Sequence, residues 1–261
     1  MVVTAVIIRN KKNYKKEEKK VIKRILVAAL LVAALALPAW AAETSTSGSV
    51  GVFSSYVWRG ITVHEDIAVQ PTVGLTYGGF GANLWADWNA DTDEHVETDL
   101  TLSYSFSIEK LSLGVGYIYY GLDGFNDTQE FYASAAYDIL LSPSLALYWD
   151  FDEGEGAFLV ASIGHSFELP HEIALKLGAS ASVNLENSVM GQDSDGEDFS
   201  NFYNGELSAA LSIPIMEALS IEPKVAYSFS LSDDADNAIS SLSDGGDNDA
   251  FYGGATLGLS F

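Results

Sequence analysis

From Ser47 to the chain end, segments in which apolar and polar residues alternate recur, and no stretch there sustains the three-to-four-residue spacing of an amphipathic helix. The last eleven residues show the pattern plainly. Phe251, Ala255, Leu257, Leu259 and Phe261 share one parity, and Tyr252, Thr256, Gly258 and Ser260 share the other. Val96–Ile108 is clearer still. Its apolar parity holds Val96, Leu100, Leu102, Tyr104, Phe106 and Ile108, and its polar parity holds Glu97, Asp99, Thr101, Ser103, Ser105 and Ser107. Successive strand side chains point to opposite faces, so such segments are strands with one apolar face. About twelve are predicted, at 47–60, 67–77, 80–88, 96–108, 111–120, 128–139, 144–152, 157–167, 173–184, 203–213, 219–231 and 250–261.

The connections alternate too. Gly78-Gly79, Glu109-Lys110, 140–143, 168–172 and 214–218 are short, whereas 61–66, 89–95, 121–127, 153–156, 185–202 and 232–249 are mostly longer and polar. An even strand count with short turns at one end and longer loops at the other predicts an all-β fold: a transmembrane, up-and-down antiparallel barrel. Aromatics test this topology. Trp58, Trp88, Tyr119, Trp149, Phe131, Phe229 and Phe251 fall near one set of strand ends, and Tyr77, Phe80, Tyr104, Phe106, Tyr137, Phe167 and Phe261 near the other. Two such rings suit the two membrane–water interfaces. Pro71 and Pro223 fit poorly, because each removes a ladder donor from a strand interior; local bulges are the expected remedy.

The N-terminal region differs in kind. Residues 1–41 hold nine of the 13 Lys and Arg, but only Glu17 and Glu18 of the 36 acidic residues. Beyond them Arg59, Lys110, Lys176 and Lys224 are the only Lys or Arg residues, and so acidic a surface makes nucleic acid a poor partner. Residues 21–41 read as a secretory signal peptide: Lys23-Arg24, an apolar run from Ile25 to Leu37, then Ala39-Trp40-Ala41 as the cleavage site. The apolar run is shorter than a spanning helix needs and Pro38 ends it. Residues 1–20 are read as a mis-assigned leader with Val21 as the true start, or as an extended n-region, leaving 42–261 as the barrel. With no Cys, disulfides and thiolate sites are excluded.

Strand parity places Asp87, Glu97, Asp99, Glu130, Asp138, Asp150, Asp152, Glu206 and Glu222 in the lumen, with Arg59, Lys176 and Lys224. Most other inward residues are Ser, Thr, Gly and Ala. This lining suits a water-filled, cation-preferring channel for small hydrophilic solutes; alternatively, the charges pair and plug a narrow barrel. Arg59 could set the field near the outer mouth or simply bridge a carboxylate. Loops such as Asp193-Ser194-Asp195-Gly196-Glu197-Asp198 offer Asp193, Asp195 and Asp198 as weak divalent-metal ligands, but no EF-hand spacing is present, and solvated loops are favoured. No cofactor is expected. A barrel enzyme would need a nucleophile and base in reach, and His64, His95, His165 and His171 flank no recognisable nucleophile motif. A non-conducting barrel that braces the envelope is the structural alternative.

Several motifs then resemble a known family. Ser55-Tyr56-Val57-Trp58-Arg59-Gly60-Ile61 is similar to the first-strand motif of the TorF family of porins. Gly79-Phe80-Gly81-Ala82 with Trp85, Glu97-Thr98-Asp99-Leu100, Gly116-Tyr117-Ile118-Tyr119-Tyr120 and Glu130-Phe131-Tyr132 add to the likeness. The apolar closing strand ending on Phe261 also resembles the assembly signal of bacterial outer-membrane barrels, carried here by Leu257, Leu259 and Phe261. The resemblance implies a Gram-negative outer-membrane barrel with a porin role, and as partners outer-membrane lipid, lipopolysaccharide and the barrel-assembly machinery. It carries over no catalytic residues.

Overall fold

The computed structural model describes residues 44–260, so the leader and signal peptide expected at 1–41 and the terminal Phe261 lie outside the described residues. Within the described residues fourteen strands form: β1 (Thr44–Phe53), β2 (Tyr56–Trp58), β3 (Ile61–His64), β4 (Ala68–Tyr77), β5 (Phe80–Asn89), β6 (Glu94–Ile108), β7 (Leu111–Leu122), β8 (Thr128–Tyr137), β9 (Ser144–Asp150), β10 (Ala157–Glu168), β11 (Ala174–Leu185), β12 (Ser200–Met216), β13 (Leu219–Ser230) and β14 (Asp249–Ser260). Twelve of them close into one antiparallel barrel, in which β14 pairs with β1 and β1 with β4. The pair β2–β3 stands apart as a two-stranded hairpin.

Alternation sets the two faces. Val73, Leu84, Val115, Leu207 and Leu257 point outward and are exposed, as are the aromatics Phe80, Tyr104, Phe131, Trp149 and Phe251. Water offers no reason to leave so many large apolar groups bare, whereas lipid does. Pro71 and Pro223 are accommodated without bulges. Along β4–β5 the ladder skips Gln70 and Pro71 and resumes in the same register, and along β12–β13 it skips Glu222 and Pro223 likewise. Each imino nitrogen thus costs one local gap in one ladder.

The largest departure from the sequence pattern lies in the first segment. The barrel strand stops at Phe53 instead of continuing to residue 60, and the next residues turn inward as the β2–β3 hairpin. Its tip is a two-residue turn in which Arg59 and Gly60 both have positive φ, 50° and 90°. That geometry matches the twist of a tight hairpin, and glycine adopts it without strain. At Gly60 an added Cβ would also lie 2.9 Å from the Asn204 side chain.

A second departure is α1 (Asp233–Leu242), inside the segment expected to be a solvated loop. The Ser232 hydroxyl caps it by accepting from the Ala235 amide, and Asp233, Asp234 and Asp236 complement the dipole in the first turn. A helix this short is marginal alone, so packing must hold it. Ala235, Ala238 and Ile239, at i, i+3 and i+4, are fully buried against Met190, Phe199, Tyr203, Phe158 and Ile61. At roughly 1.5–3 kcal/mol for each large side chain buried, this cluster holds α1 against the barrel.

Candidate functional site

The site lies at the long-loop end of the lumen, the end expected to face outward, where the hairpin crosses from the β1–β4 seam to the wall formed by β8, β9 and β10. In the strand order these walls lie on opposite sides of the barrel. At the tip, the Arg59 side chain is only 10% exposed. Its Nη1 and Nη2 donate to the two Glu130 oxygens at 2.8 and 2.7 Å, a planar fork-to-carboxylate match. Tyr120 donates to the same carboxylate at 2.8 Å. The guanidinium carbon sits 4.6 Å from the Trp58 ring centre, 4.7 Å from Tyr148 and 4.6 Å from Phe158, with Met190 Sδ 3.8 Å from Nη1. Burial opposes the charge, but Tyr120 and Glu130 outweigh it, and Arg59 is held above the ordinary arginine pKa.

Behind the tip, the hairpin lies on a wall of acids. Asp87 and Glu97 are cross-strand partners on β5 and β6, and both are buried. His64 Nε2 is 2.8 Å from Asp87, whose other oxygen accepts from Gln70 at 3.0 Å. Tyr56 donates to Glu97 at 2.8 Å; burial first, then the Glu97 charge, push its phenol pKa well up and keep it a donor. Asp99 Oδ1 is buried without a hydrogen-bond partner. Asp150 accepts from Thr128 at 2.7 Å and from the Asp152 amide at 2.9 Å. The hairpin is tied to the α1 side as well, through Thr62 N donating to Ser243 Oγ at 3.0 Å.

Below this layer the lumen opens. A space of about 380 Å³ is lined by Ser105, Ser112, Ser134, Ala146, Tyr148 and Ser162 among others. Toward β11–β14 the half-exposed pairs Lys176–Glu222, at 2.5 Å, and Lys224–Glu206, at 3.6 Å, face the lumen, and Tyr252 donates to Glu206.

The predicted lumen residues therefore separate into groups. Asp87, Glu97, Asp99, Glu130 and Asp150 gather under the hairpin with Arg59. Glu206, Glu222, Lys176 and Lys224 pair lower down. Asp138 and Asp152 join neither, because their strands end at Tyr137 and Asp150; Asp138 lies in the turn after β8, and Asp152 accepts from Gln129, whose parity is outward. Trp58 does not belong to the outer aromatic ring, since it packs inside against Arg59 and Tyr120. Leu257 and Leu259 lie outward on β14, exposed as strand parity requires. The Asp193 carboxylate accepts the amides of Asp195 and Glu197, so it closes its own loop, and among the described residues no acid and histidine group has metal-binding geometry.

Sequence reasoning missed Tyr56, His64, Tyr120, Tyr148, Phe158 and Met190. The adjacent Arg59-Gly60 between alternating residues was the available signal of a hairpin tip. Of the histidines, His64 has both ring nitrogens engaged, by Asp87 and the Asp66 carbonyl. His95 bonds Thr98, and His165 stacks edge-on with Phe167.

Fold and site together define a closed antiparallel barrel with an apolar exterior, a hydrophilic lumen and an inward-folded hairpin across its outer end. A family model described as "Putative MetA-pathway of phenol degradation" matches residues 65–173, less than half the chain. Among solved structures, the chain is similar to the COG4313 outer membrane channel from Pseudomonas putida F1, at 12% identity and TM-score 0.49, covering 87% of this chain and 97% of that one. It is also similar to the NanC porin, at 12% identity and TM-score 0.48, covering 83% and 98%. OmpF of Salmonella typhi, in complex with daunomycin, is similar at 8% identity and TM-score 0.39, covering 84% and 97%. No curated protein matches.

Proposed function

We propose that the chain is a Gram-negative outer-membrane channel for passive diffusion of small hydrophilic solutes, constricted at its outer end by the β2–β3 hairpin. The observation that carries this is the small-residue, hydroxyl-rich lumen below the hairpin, enclosed by a barrel whose outer face is apolar. A plugged core would instead fill that space with large side chains. Membership of the TorF family belongs to the same reading and rests on the motif resemblance.

Cation preference follows from the sign of the lumen charge. Lys176 and Lys224 are matched by Glu222 and Glu206, Arg59 by Glu130 and His64 by Asp87, with Asp150 and the Glu97–Asp99 pair as the further acids of the upper layer. The excess is acidic at the constriction, and low-dielectric walls concentrate its field. Lipopolysaccharide at the outer loops and the barrel-assembly machinery at β14 are the partners this placement calls for. A non-enzymatic role belongs to the same proposal, in which His64 and His95 serve as structural partners of Asp87, the Asp66 carbonyl and Thr98.

The filled outer end favours one rival, a barrel that braces the envelope and conducts nothing. Recording from the refolded protein in planar bilayers separates the two. Discrete conductance steps support the channel; a silent membrane containing folded barrel supports the rival.

A further inference from the structure

We propose that the pocket holding Arg59 is a recognition site for guanidinium-bearing solutes, with Arg59 as its built-in competitor. The inference deepens the channel reading, in that it names a solute class for the constriction.

Two sources build the pocket. Glu130, Tyr120, Tyr148 and Phe158 stand on β8, β7, β9 and β10, whereas Arg59 and Trp58 stand on the hairpin. The barrel ladders hold the backbone of the first group whether or not the hairpin is seated. Removing the hairpin would therefore leave a shaped cavity behind: a carboxylate that is 1% exposed in the closed form, oriented by a phenol, with two aromatic faces beside it.

Such a cavity selects by shape as well as charge. The two Glu130 oxygens accept parallel bonds at 2.8 and 2.7 Å, which a planar fork satisfies and a spherical ammonium does not. Flat rings flanking the guanidinium favour a delocalised, weakly hydrated cation over a strongly hydrated one such as K⁺. Position adds the third argument. Tyr148 touches Arg59 on one side and lines the open lumen on the other, so the pocket borders the path between the outer mouth and the periplasmic half. Unseating Arg59 leaves Glu130 without its fork-shaped partner, and a solute carrying the same fork restores that pairing. Arg59 thus holds the place that such a solute would take.

The test uses the full barrel refolded in detergent and methylguanidinium as the probe, with binding read by calorimetry. Arg59→Ala should bind methylguanidinium saturably, at least about tenfold tighter than methylammonium, and at least about tenfold tighter than wild type does. Adding Glu130→Gln to Arg59→Ala should abolish the binding. If Arg59→Ala does not give the heat-resistant folded band, millimolar methylguanidinium during refolding should restore it, and failure to restore it overturns the proposal. Absence of binding to folded Arg59→Ala also overturns it, as does equal affinity for methylammonium or binding that survives Glu130→Gln. Calorimetry does not require conduction, so a silent bilayer would count against the channel reading alone.

Discussion

Replacing Arg59 by Ala should free the hairpin while leaving the barrel intact. Arg59 makes both bonds to Glu130 and lies between the Trp58, Tyr148 and Phe158 rings. Removing one partner of a buried ion pair typically costs about 3–5 kcal/mol, because the other charge stays buried and unpaired. Here the stranded group is Glu130, which keeps a single donor in Tyr120. Barrel ladders pair without Arg59, so the loss falls on hairpin docking. At about 1.4 kcal/mol per decade, the opening equilibrium should rise by roughly two to three and a half decades. Amide hydrogen exchange in detergent reads this directly. Protection at Tyr56–His64 should fall by that factor, while protection in β10–β13 should hardly move. Unchanged hairpin protection in the folded variant would refute the idea that the Arg59 contact latches it. Loss of protection throughout the barrel would show that the contact supports the whole fold.

Docking should also depend on pH through His64. Burial alone would lower its pKa, but the Asp87 hydrogen bond and charge, with the contact to Asp66, raise it overall. The groups facing it are Asp87, Asp66 and Tyr56. A pKa raised on docking means that protonated His64 stabilises the docked form below the free histidine value, about 6.5, and that this contribution fades as pH rises through the raised value. Hairpin protection, taken relative to the base-catalysed intrinsic exchange rate, should therefore fall on the alkaline side in wild type, and a His64→Gln variant with the same pH profile would assign the effect elsewhere. Gly60→Val should weaken docking, since its φ of 90° and the 2.9 Å approach to Asn204 both exclude a branched side chain; unchanged protection would contradict this. Deleting Phe261 should lower the amount of barrel in the membrane without blocking export, as judged by the heat-modifiable band in membrane fractions. Reversal potentials in a salt gradient should show cation preference that weakens at high salt, and an anion-selective pore would mean that the constriction charge does not govern passage.

The barrel was legible because period-two alternation is the physical requirement of a wall with lipid on one side and water on the other. Val96–Ile108 shows both faces in the sequence itself, and its observed strand, Glu94–Ile108, differs by two residues at one end. The interior was not legible for a related reason. Tyr56 and Trp58 continue the parity of Val50 and Val52 although they stand on a hairpin folded inside the barrel, so pattern alone could not separate them from β1. The TorF-like motif accordingly spans a hairpin and its turn instead of a barrel strand. Asp233–Leu242 reads as an acidic loop, yet its Ala235, Ala238 and Ile239 stripe meets an apolar cluster assembled from β10, β12 and neighbouring segments. That partner surface exists only after the barrel closes. Strand ends explain the other errors: parity places Asp138 and Asp152 inward only if the strands continue, and they stop one and two residues earlier.

The most direct test compares single-channel conductance of the wild type with a variant whose residues 55–65 are replaced by a short Gly-Ser turn, both refolded and reconstituted in planar bilayers. Small, discrete steps are expected from the wild type and clearly larger ones from the variant, because the hairpin bridges the lumen between the β1–β4 seam and β8–β10. Two silent but fully folded barrels would contradict the channel itself. Equal conductance in both would contradict the hairpin as its constriction.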